Sequence, residues 1–316
     1  MRLDGACFQM QRRAFAKINL DLRILGLRRD GFHEVRTILQ TIELHDTLQL
    51  SVRSGPFVVR SRSKVMPQDR DNLIWTAGLA LWRAIGRTGI PEGVAVRVEK
   101  RIPSAAGLGG ASSDAAAALI LFRQLWAPHK GVRFLRDVAA GVGSDVPFFF
   151  DGGTALATGR GEHTRRLAPL ERQWLVLAVP GFGVKTPQAY RWWDGLSDRE
   201  KSEVQRPLSR GWRRQLDFLT NDLQVPVVKQ HPVIAEMIER LRAVGAHVAA
   251  MSGSGSAVFG LFTSQADAIV ARRCVRKVGW RTWAGVPLTV EYDQAGVHRA
   301  AMEVNVELEP VGKVVK

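Results

Sequence analysis

From Pro103 to Ser113 the chain reads Pro-Ser-Ala-Ala-Gly-Leu-Gly-Gly-Ala-Ser-Ser. An alternating run, Val94–Glu99, precedes this stretch, and a predicted helix from about Ser112 to Leu125 follows it. No other feature limits the fold so strongly. A strand must run into a helix through a loop with almost no side chains. Small residues let backbone wrap closely around an anion, and the helix start offers free N–H groups at the positive end of its dipole. The chemistry is that of a phosphate cradle. Glycine density alone also allows a tight strand-to-helix turn with Ser112 as a plain N-cap. The pattern is neither GxxxxGK[ST] nor GxGxxG.

Strands and helices alternate irregularly around this loop. Ile18, Leu20, Leu22 and Ile24 are apolar, and Lys17, Asn19, Asp21 and Arg23 between them are polar. Period two predicts a half-buried strand with Lys17 and Asn19 on one face. Arg28–Gly31 predicts a turn. Strand patterns continue at Val35–Leu44, Thr47–Val52 and Phe57–Ser61, and Asp71–Asn72 can cap a helix reaching about Ile85. A helix near Leu135–Ala140 ends at Gly141–Gly143. Strands are predicted at Thr154–Ala157, Trp174–Val179, Ala246–Met251 and Ala257–Phe262. Helices are predicted at Val233–Val244 and Ala266–Val278, and helical and loop connections over Tyr190–Trp212. The mixed order predicts an α+β chain, two sandwiches meeting near residues 160–180. From about Glu303 the chain reads as a loose tail.

The 316 residues suit about two domains. An apolar share of 46% against 24% charged is ordinary for soluble proteins and excludes wholesale disorder. Lys and Arg number 45 against 30 Asp and Glu, a formal net charge of +15. Such a charge favours anionic partners, nucleic acid or phosphorylated molecules, and says nothing of fold. The basic clusters Arg165–Arg166, Arg210–Arg214 and Arg272–Lys277 are scattered, with no nucleic-acid-binding signature, so no nucleic-acid partner is expected. Cys7 and Cys274 form no CxxC pair, which argues against a zinc ribbon or a disulfide framework. The opening MRLDGACFQMQRRAF holds no signal-peptide core, and the longest apolar run, Ala115–Phe122, is far short of the ~20 residues of a membrane helix. A cytoplasmic protein with no membrane partner is expected.

Four further features carry chemistry only in company. Asp145, in Gly-Val-Gly-Ser-Asp-Val-Pro, follows a helix-ending glycine pair, where a carboxylate is either displayed on a fixed loop or spent in a turn. Lys17 is either a solvated strand residue or a cation lining a cleft. Met251-Ser-Gly-Ser-Gly-Ser256 either closes over phosphates or makes a tight hairpin. Phe32–His33 and Tyr190 are either ordinary aromatics or two faces that sandwich a base, each stack worth roughly 1–3 kcal/mol.

Taken together and in this order, AFAKINLDLRILGLRRDGFHEVRTI, RIPSAAGLGGASSDAAAAL, GVGSDVPFF and MSGSGSAVFGLF resemble the GHMP kinase superfamily, from about residue 14 to about residue 290. That superfamily includes galacto-, homoserine and mevalonate kinases. AKINL followed by RRDGFH is most similar to the branch that phosphorylates the 2-hydroxyl of a cytidine-diphosphate-linked methylerythritol in isoprenoid precursor synthesis. The resemblance implies a two-domain fold: an N-terminal nucleotide-binding α/β domain (1–168), a C-terminal ferredoxin-like α/β sandwich (169–300) and a tail (301–316). It implies ATP and Mg²⁺ as cofactors, ATP and a cytidine-diphosphate-linked polyol as small-molecule partners, and a monomer or homodimer. Asp145 and Lys17 match the catalytic pair, the first accepting the hydroxyl proton, the second orienting it and steadying the transferring phosphoryl group. Pro103, Ser104, Ala105, Ala106, Gly107, Leu108, Gly109, Gly110, Ala111, Ser112 and Ser113 match the ATP-phosphate loop, with Asn72 and Lys100 near the nucleotide. Either Ser112 or Ser113 matches the hydroxyl near Mg²⁺. Phe32 and His33, with Tyr190 opposite, match the cytosine site, and Asn19 and Thr186 line the substrate pocket. Relatives in this branch often carry Tyr at Phe32 and Phe at Tyr190, so the ring is kept while any phenol role moves.

Overall fold

The computed structural model describes residues 7–170, 173–204, 219–287 and 306–309. Its N-terminal half is built on an antiparallel hairpin, β1 (Cys7–Leu27) and β2 (His33–Pro56). The predicted runs Ala16–Ile24, Val35–Leu44 and Thr47–Val52 are pieces of these two longer strands. The pairing slips between Phe15 and Lys17, Asn19 and Asp21, and Ile24 and Gly26. Each bulge re-aims the side chains beside it, so a period-two pattern stops short of the true strand ends. At the hairpin turn Asp30 Oδ1 accepts the Phe32 N–H at 3.1 Å, and Gly31 takes a φ of +81°.

Beside β2 lies β4 (Glu92–Glu99), then β3 (Val58–Ser61), which runs parallel to it. Further along, β2 pairs with β5 (Thr154–Gly159), and β5 with β6 (His163–Arg166). The tail reading is corrected over one stretch, because β11 (Val306–Glu309) pairs antiparallel with Cys7–Met10. An edge strand's free N–H and C=O groups are a template for such pairing.

The helices α1 (Leu73–Ala84), α2 (Gly110–Trp126) and α3 (Val132–Ala140) share one core with β2, β3 and β4. Every residue of α2 from Ser113 to Phe122 is buried. A helix apolar all round belongs at the centre of a core. A short α4 (Phe148–Asp151) follows Asp145 and was not predicted.

The C-terminal half folds as a four-stranded antiparallel sheet, ordered β10–β7–β9–β8. Its strands are β7 (Trp174–Val179), β8 (Val248–Met251), β9 (Val258–Phe262) and β10 (Arg281–Gly285). Between β7 and β8 come α5 (Thr186–Asp194), α6 (Asp198–Val204), α7 (Gln224–Gln230) and α8 (Val233–Ala243), and α9 (Gln265–Cys274) follows β9. That order is the split βαβ arrangement of a ferredoxin-like sandwich. One sheet face carries α8 and α9; the other meets β1 and β2 in a core joining Ile18, Leu20 and Ile38 to Leu175, Leu177 and Phe259. Strands β6 and β10 and helix α7 escaped prediction, α5 and α6 overlap the helical and loop connections expected over Tyr190–Trp212, and the Arg210–Arg214 cluster lies outside the described residues. Among the described residues no helix is long and apolar enough to cross a membrane.

Candidate active site

A cavity of about 440 Å³ opens where the two halves meet. Its floor is the loop Pro103–Gly109. Ala105, Gly107 and Gly109 all have positive φ, at 51°, 75° and 70°. The loop's carbonyls are turned into the protein. Val184 N–H donates to Ala105 O at 2.9 Å, Ala257 N–H to Ala106 O at 3.1 Å, Ser252 Oγ to Gly107 O at 3.0 Å and Lys17 N–H to Leu108 O at 3.0 Å. The approach at Gly107 is so close that a Cβ there would sit 2.0 Å from Ser252 O. Helix α2 begins at Gly110 with Gly109 as its cap, two residues earlier than expected, so Ser112 lies in the first turn and is no N-cap. Gly110, Ala111 and Ser112 line the cavity with first-turn N–H groups that have no partner within the helix. An anion is favoured there.

The two serines are now separable. Ser112 faces the cavity, whereas Ser113 is buried and donates its hydroxyl to Phe15 O at 2.6 Å. Ser113 is therefore removed as the candidate Mg²⁺ hydroxyl, because the strand beneath α2 consumes it.

Lys17 is only 4% exposed, so it is no solvated strand residue. The bulge beside it frees its backbone for the phosphate loop and turns its side chain into the cavity. Its Nζ donates to Asn19 Oδ1 at 2.6 Å and stands 3.5 Å from Asp145 Oδ2. Asn19 in turn donates to Thr37 Oγ1 at 2.8 Å, and Thr37 to Asp21 O at 2.5 Å. This chain holds the ammonium in place. Asp145, on the turn before α4, keeps its carboxylate about one-third exposed toward the cavity.

Asn72 caps α1, accepting the Ile74 N–H at 2.8 Å, and lines the cavity rim. Lys100 is there too, but two carboxylates claim it: Asp46, and Asp114 at 2.7 Å. Burial opposes the Lys100 charge, yet Asp114 and Asp46 hold its ammonium above the ordinary lysine range. Burial pushes the Asp114 carboxyl up to about 7 against the pull of Lys100. Asp114 Oδ1 is buried at the cavity wall without a hydrogen-bond partner among the described residues. Neither acid stood out in the sequence, since a lone Asp in a strand or helix carries no pattern.

The aromatic site departs from expectation. Tyr190 lines the cavity and Phe32 does not: it is 52% exposed, with the Arg160 guanidinium 5.0 Å from its ring centre. His33 also stays off the cavity wall. It stacks on Tyr190 at 4.7 Å between centroids and bonds Asp194 at 2.8 Å. The DG turn carries Phe32 past the rim, which one-dimensional adjacency to His33 cannot reveal. Burial raises the Tyr190 phenol, with Asp145 and Asp222 adding to the rise, so it stays protonated. Thr186 lines the same wall and shares a hydrogen bond with Ser254 at 3.1 Å. The Met251–Ser256 loop makes the hairpin that joins β8 to β9, and its Ser252 hydroxyl donates to Gly107 O in the glycine loop.

A divalent cation fits this wall only as a nucleotide-borne ion. Among the described residues no three His, Cys, Asp or Glu side chains converge to hold one. Mg²⁺ keeps several waters and needs one or two protein oxygens besides phosphates. The Ser112 hydroxyl supplies an oxygen of that kind.

Residues 72–153 match the family model described as "GHMP kinases N terminal domain", and residues 199–279 the one described as "GHMP kinases C terminal". The chain is 42% identical over 253 residues to the 4-diphosphocytidyl-2-C-methyl-D-erythritol kinase of Pelotomaculum thermopropionicum, covering 78% of this chain and 87% of that one. To the enzyme of the same name from Moorella thermoacetica it is 41% identical over 272 residues, 84% and 93% of the two chains. A crystal structure of 4-(cytidine 5'-diphospho)-2C-methyl-D-erythritol kinase superposes with a TM-score of 0.74 at 34% identity, over 88% of this chain and 98% of that one. The homoserine kinase of Cytophaga hutchinsonii shares the fold, with a TM-score of 0.69 at 16% identity over 95% and 97%.

Proposed function

This chain belongs to the GHMP kinases, among the 4-diphosphocytidyl-2-C-methyl-D-erythritol kinases, and from that premise we propose that it moves the γ-phosphoryl group of ATP to the 2-hydroxyl of 4-diphosphocytidyl-2-C-methyl-D-erythritol. The reaction is a cytoplasmic step of non-mevalonate isoprenoid precursor synthesis. The observation that carries the reading is the Lys17–Asp145 pair, 3.5 Å apart, in the cavity floored by the glycine loop and the start of α2.

Phosphoryl transfer asks a protein for position and charge more than for covalent work. The loop and the α2 N-terminus hold the ATP phosphates. Asp145 accepts the proton of the attacking hydroxyl, and its aim is set by Lys17. The ammonium, fixed by Asn19, also steadies the charge that builds on the transferring group; an already oriented charge costs no reorganisation at the moment of reaction. Ser112 would hold Mg²⁺, which neutralises phosphate charge when bound. Tyr190, backed by His33, offers a ring for the cytosine.

A panel of acceptors in a coupled assay of ADP release tests this. Turnover is expected with 4-diphosphocytidyl-2-C-methyl-D-erythritol and not with mevalonate or homoserine. Turnover of mevalonate or homoserine alone would overturn the substrate while keeping the kinase.

A further inference from the structure

Arg12 is a cation buried away from the catalytic cavity. It is 2% exposed, and among the described residues its side chain makes no hydrogen bond or ion pair. Period two explains how it comes to be inside. Met10, Arg12 and Ala14 share the β1 face that packs on α2, and Met10 and Ala14 lie in the apolar core with Ala116, Ala117 and Ile120. The charge that acts on Arg12 is another cation, Arg123 of α2. Burial, with repulsion from Arg123, lowers the Arg12 guanidinium to about 9, so it keeps its charge at neutral pH. Acids on the surrounding elements are engaged elsewhere. Asp114 of α2 bonds Lys100, Asp151 of α4 bonds Arg136 and Thr164, and Asp46 of β2 bonds Lys100 and the Ile102 N–H. A buried charge calls for a counter-charge, and these residues supply none.

A narrow cleft of about 20 Å³ lies between β1, β2, α2 and α4. Arg12, Arg13, Thr41, Ser113 and Phe149 line it, and it shares no lining residue with the catalytic cavity. Thr41 is buried, and its Oγ1 has no hydrogen-bond partner among the described residues. A guanidinium and a hydroxyl, both without a partner, thus face one small space. A space of this volume holds a single water-sized particle. Chloride is of that size; phosphate, sulfate and carboxylates are larger.

We propose that this cleft is a halide site, in which one chloride ion accepts from the Arg12 guanidinium and the Thr41 hydroxyl. The ion offsets the charge that Arg12 and Arg123 bring to the core. Hydrogen bonds from a charged donor to an anion are the stronger kind, and a guanidinium is well suited to such a buried pairing. The assignment does not depend on the acceptor proposed above.

Thermal melts of the full chain without nucleotide test this, with chloride exchanged stepwise for gluconate at fixed ionic strength. Wild type, Arg12→Met and Thr41→Val are compared. An ion that binds the folded chain alone raises the melting temperature with its concentration. Wild type is expected to melt several degrees higher in chloride, with a saturating dependence, and bromide should act likewise. Arg12→Met should melt at the same temperature in both salts. In gluconate it should melt no lower than wild type, because it removes a buried charge that lacks a counter-ion there. Thr41→Val keeps the side chain's shape and should raise the half-saturating chloride concentration about tenfold. Crystals soaked in bromide should show an anomalous peak beside Arg12 and Thr41. A wild-type melting temperature indifferent to chloride overturns the proposal, since water would then serve in the cleft. A chloride shift that persists in Arg12→Met also overturns it, by tracing the effect to another anion site such as the glycine loop. Should Arg12→Met not fold, Thr41→Val and the crystals decide: an unchanged half-saturation with no bromide peak overturns the assignment.

Discussion

Two opposite charges 3.5 Å apart, one of them almost wholly buried, are stable only because other groups share them. Lys17 has Asn19 as well as Asp145, so removing the carboxylate does not strand a bare ammonium. Asp145→Asn keeps the side chain's size and deletes the proposed proton acceptor. The expected outcome is a fall in kcat of about 10²–10⁴-fold with ATP affinity nearly unchanged, checked by single-turnover kinetics and calorimetric nucleotide binding. Retention of kcat within tenfold would remove Asp145 as the base. Ser112 and Ser113 make the complementary point. They are adjacent and chemically identical, yet a helix turns successive side chains about 100° apart. One reaches the cavity and the other a carbonyl of β1.

Loops and strands act here through backbone. The phosphate loop holds its shape because four consecutive carbonyls, Ala105 to Leu108, are each bonded by a group from elsewhere in the fold. Gly107 is where this demand is most severe, with φ at +75° and the Ser252 carbonyl where a Cβ would be. Gly245 offers an internal comparison, since it has φ +97° but open space around its missing Cβ. Gly245→Ala should cost only the conformational strain, about 1–3 kcal/mol. Gly107→Ala should lower stability further and also weaken ATP binding by tenfold or more, because the loop must leave Ser252. Thermal melts and nucleotide titration of the two variants read the difference. Equal effects in both would mean that the Ser252 contact does not shape the loop.

The segment Thr220–Asp222 ties the C-terminal half to β1: Leu22 N–H donates to Thr220 O at 2.8 Å, Asp222 N–H to Leu22 O at 2.9 Å and Thr220 N–H to Asp21 Oδ1 at 3.0 Å. Asn221 is buried; its amide donates to Met251 O at 2.8 Å and Gly253 O at 2.7 Å, and its Oδ1 accepts the Leu223 N–H at 3.0 Å. Its neighbour Asp222 accepts the Ile24 N–H of β1 at 2.8 Å. Asn221→Asp would turn a charged oxygen toward two carbonyls. A stability loss of about 3 kcal/mol or more is expected in chemical denaturation, with a raised KM for ATP because the Met251–Ser256 loop loses its anchor. A stability loss with KM for ATP unchanged would mean the loop does not need that anchor.

The primary structure already contained the local chemistry. The glycine loop, its following helix, the Lys17–Asn19 strand face and β7 at Trp174–Val179 follow from residue size, φ preference and period, which act over a few neighbours. Asp145 and Lys17 were legible as a pair only through the order of motifs, since nothing local ties them. Other features required the folded chain. Pairing carried the strands past their predicted ends, so three runs became two, and beside a bulge the Lys17 N–H was left to meet Leu108 O. Packing of α2 on β1 chose Ser112 over Ser113, the hairpin turn carried Phe32 out of the cavity, and the β5–β6 turn brought Gly161 beside Asp145. These are contacts between residues far apart in sequence, set by close packing and by the need to satisfy every buried polar group, and neither demand leaves a periodic trace in a one-dimensional chain.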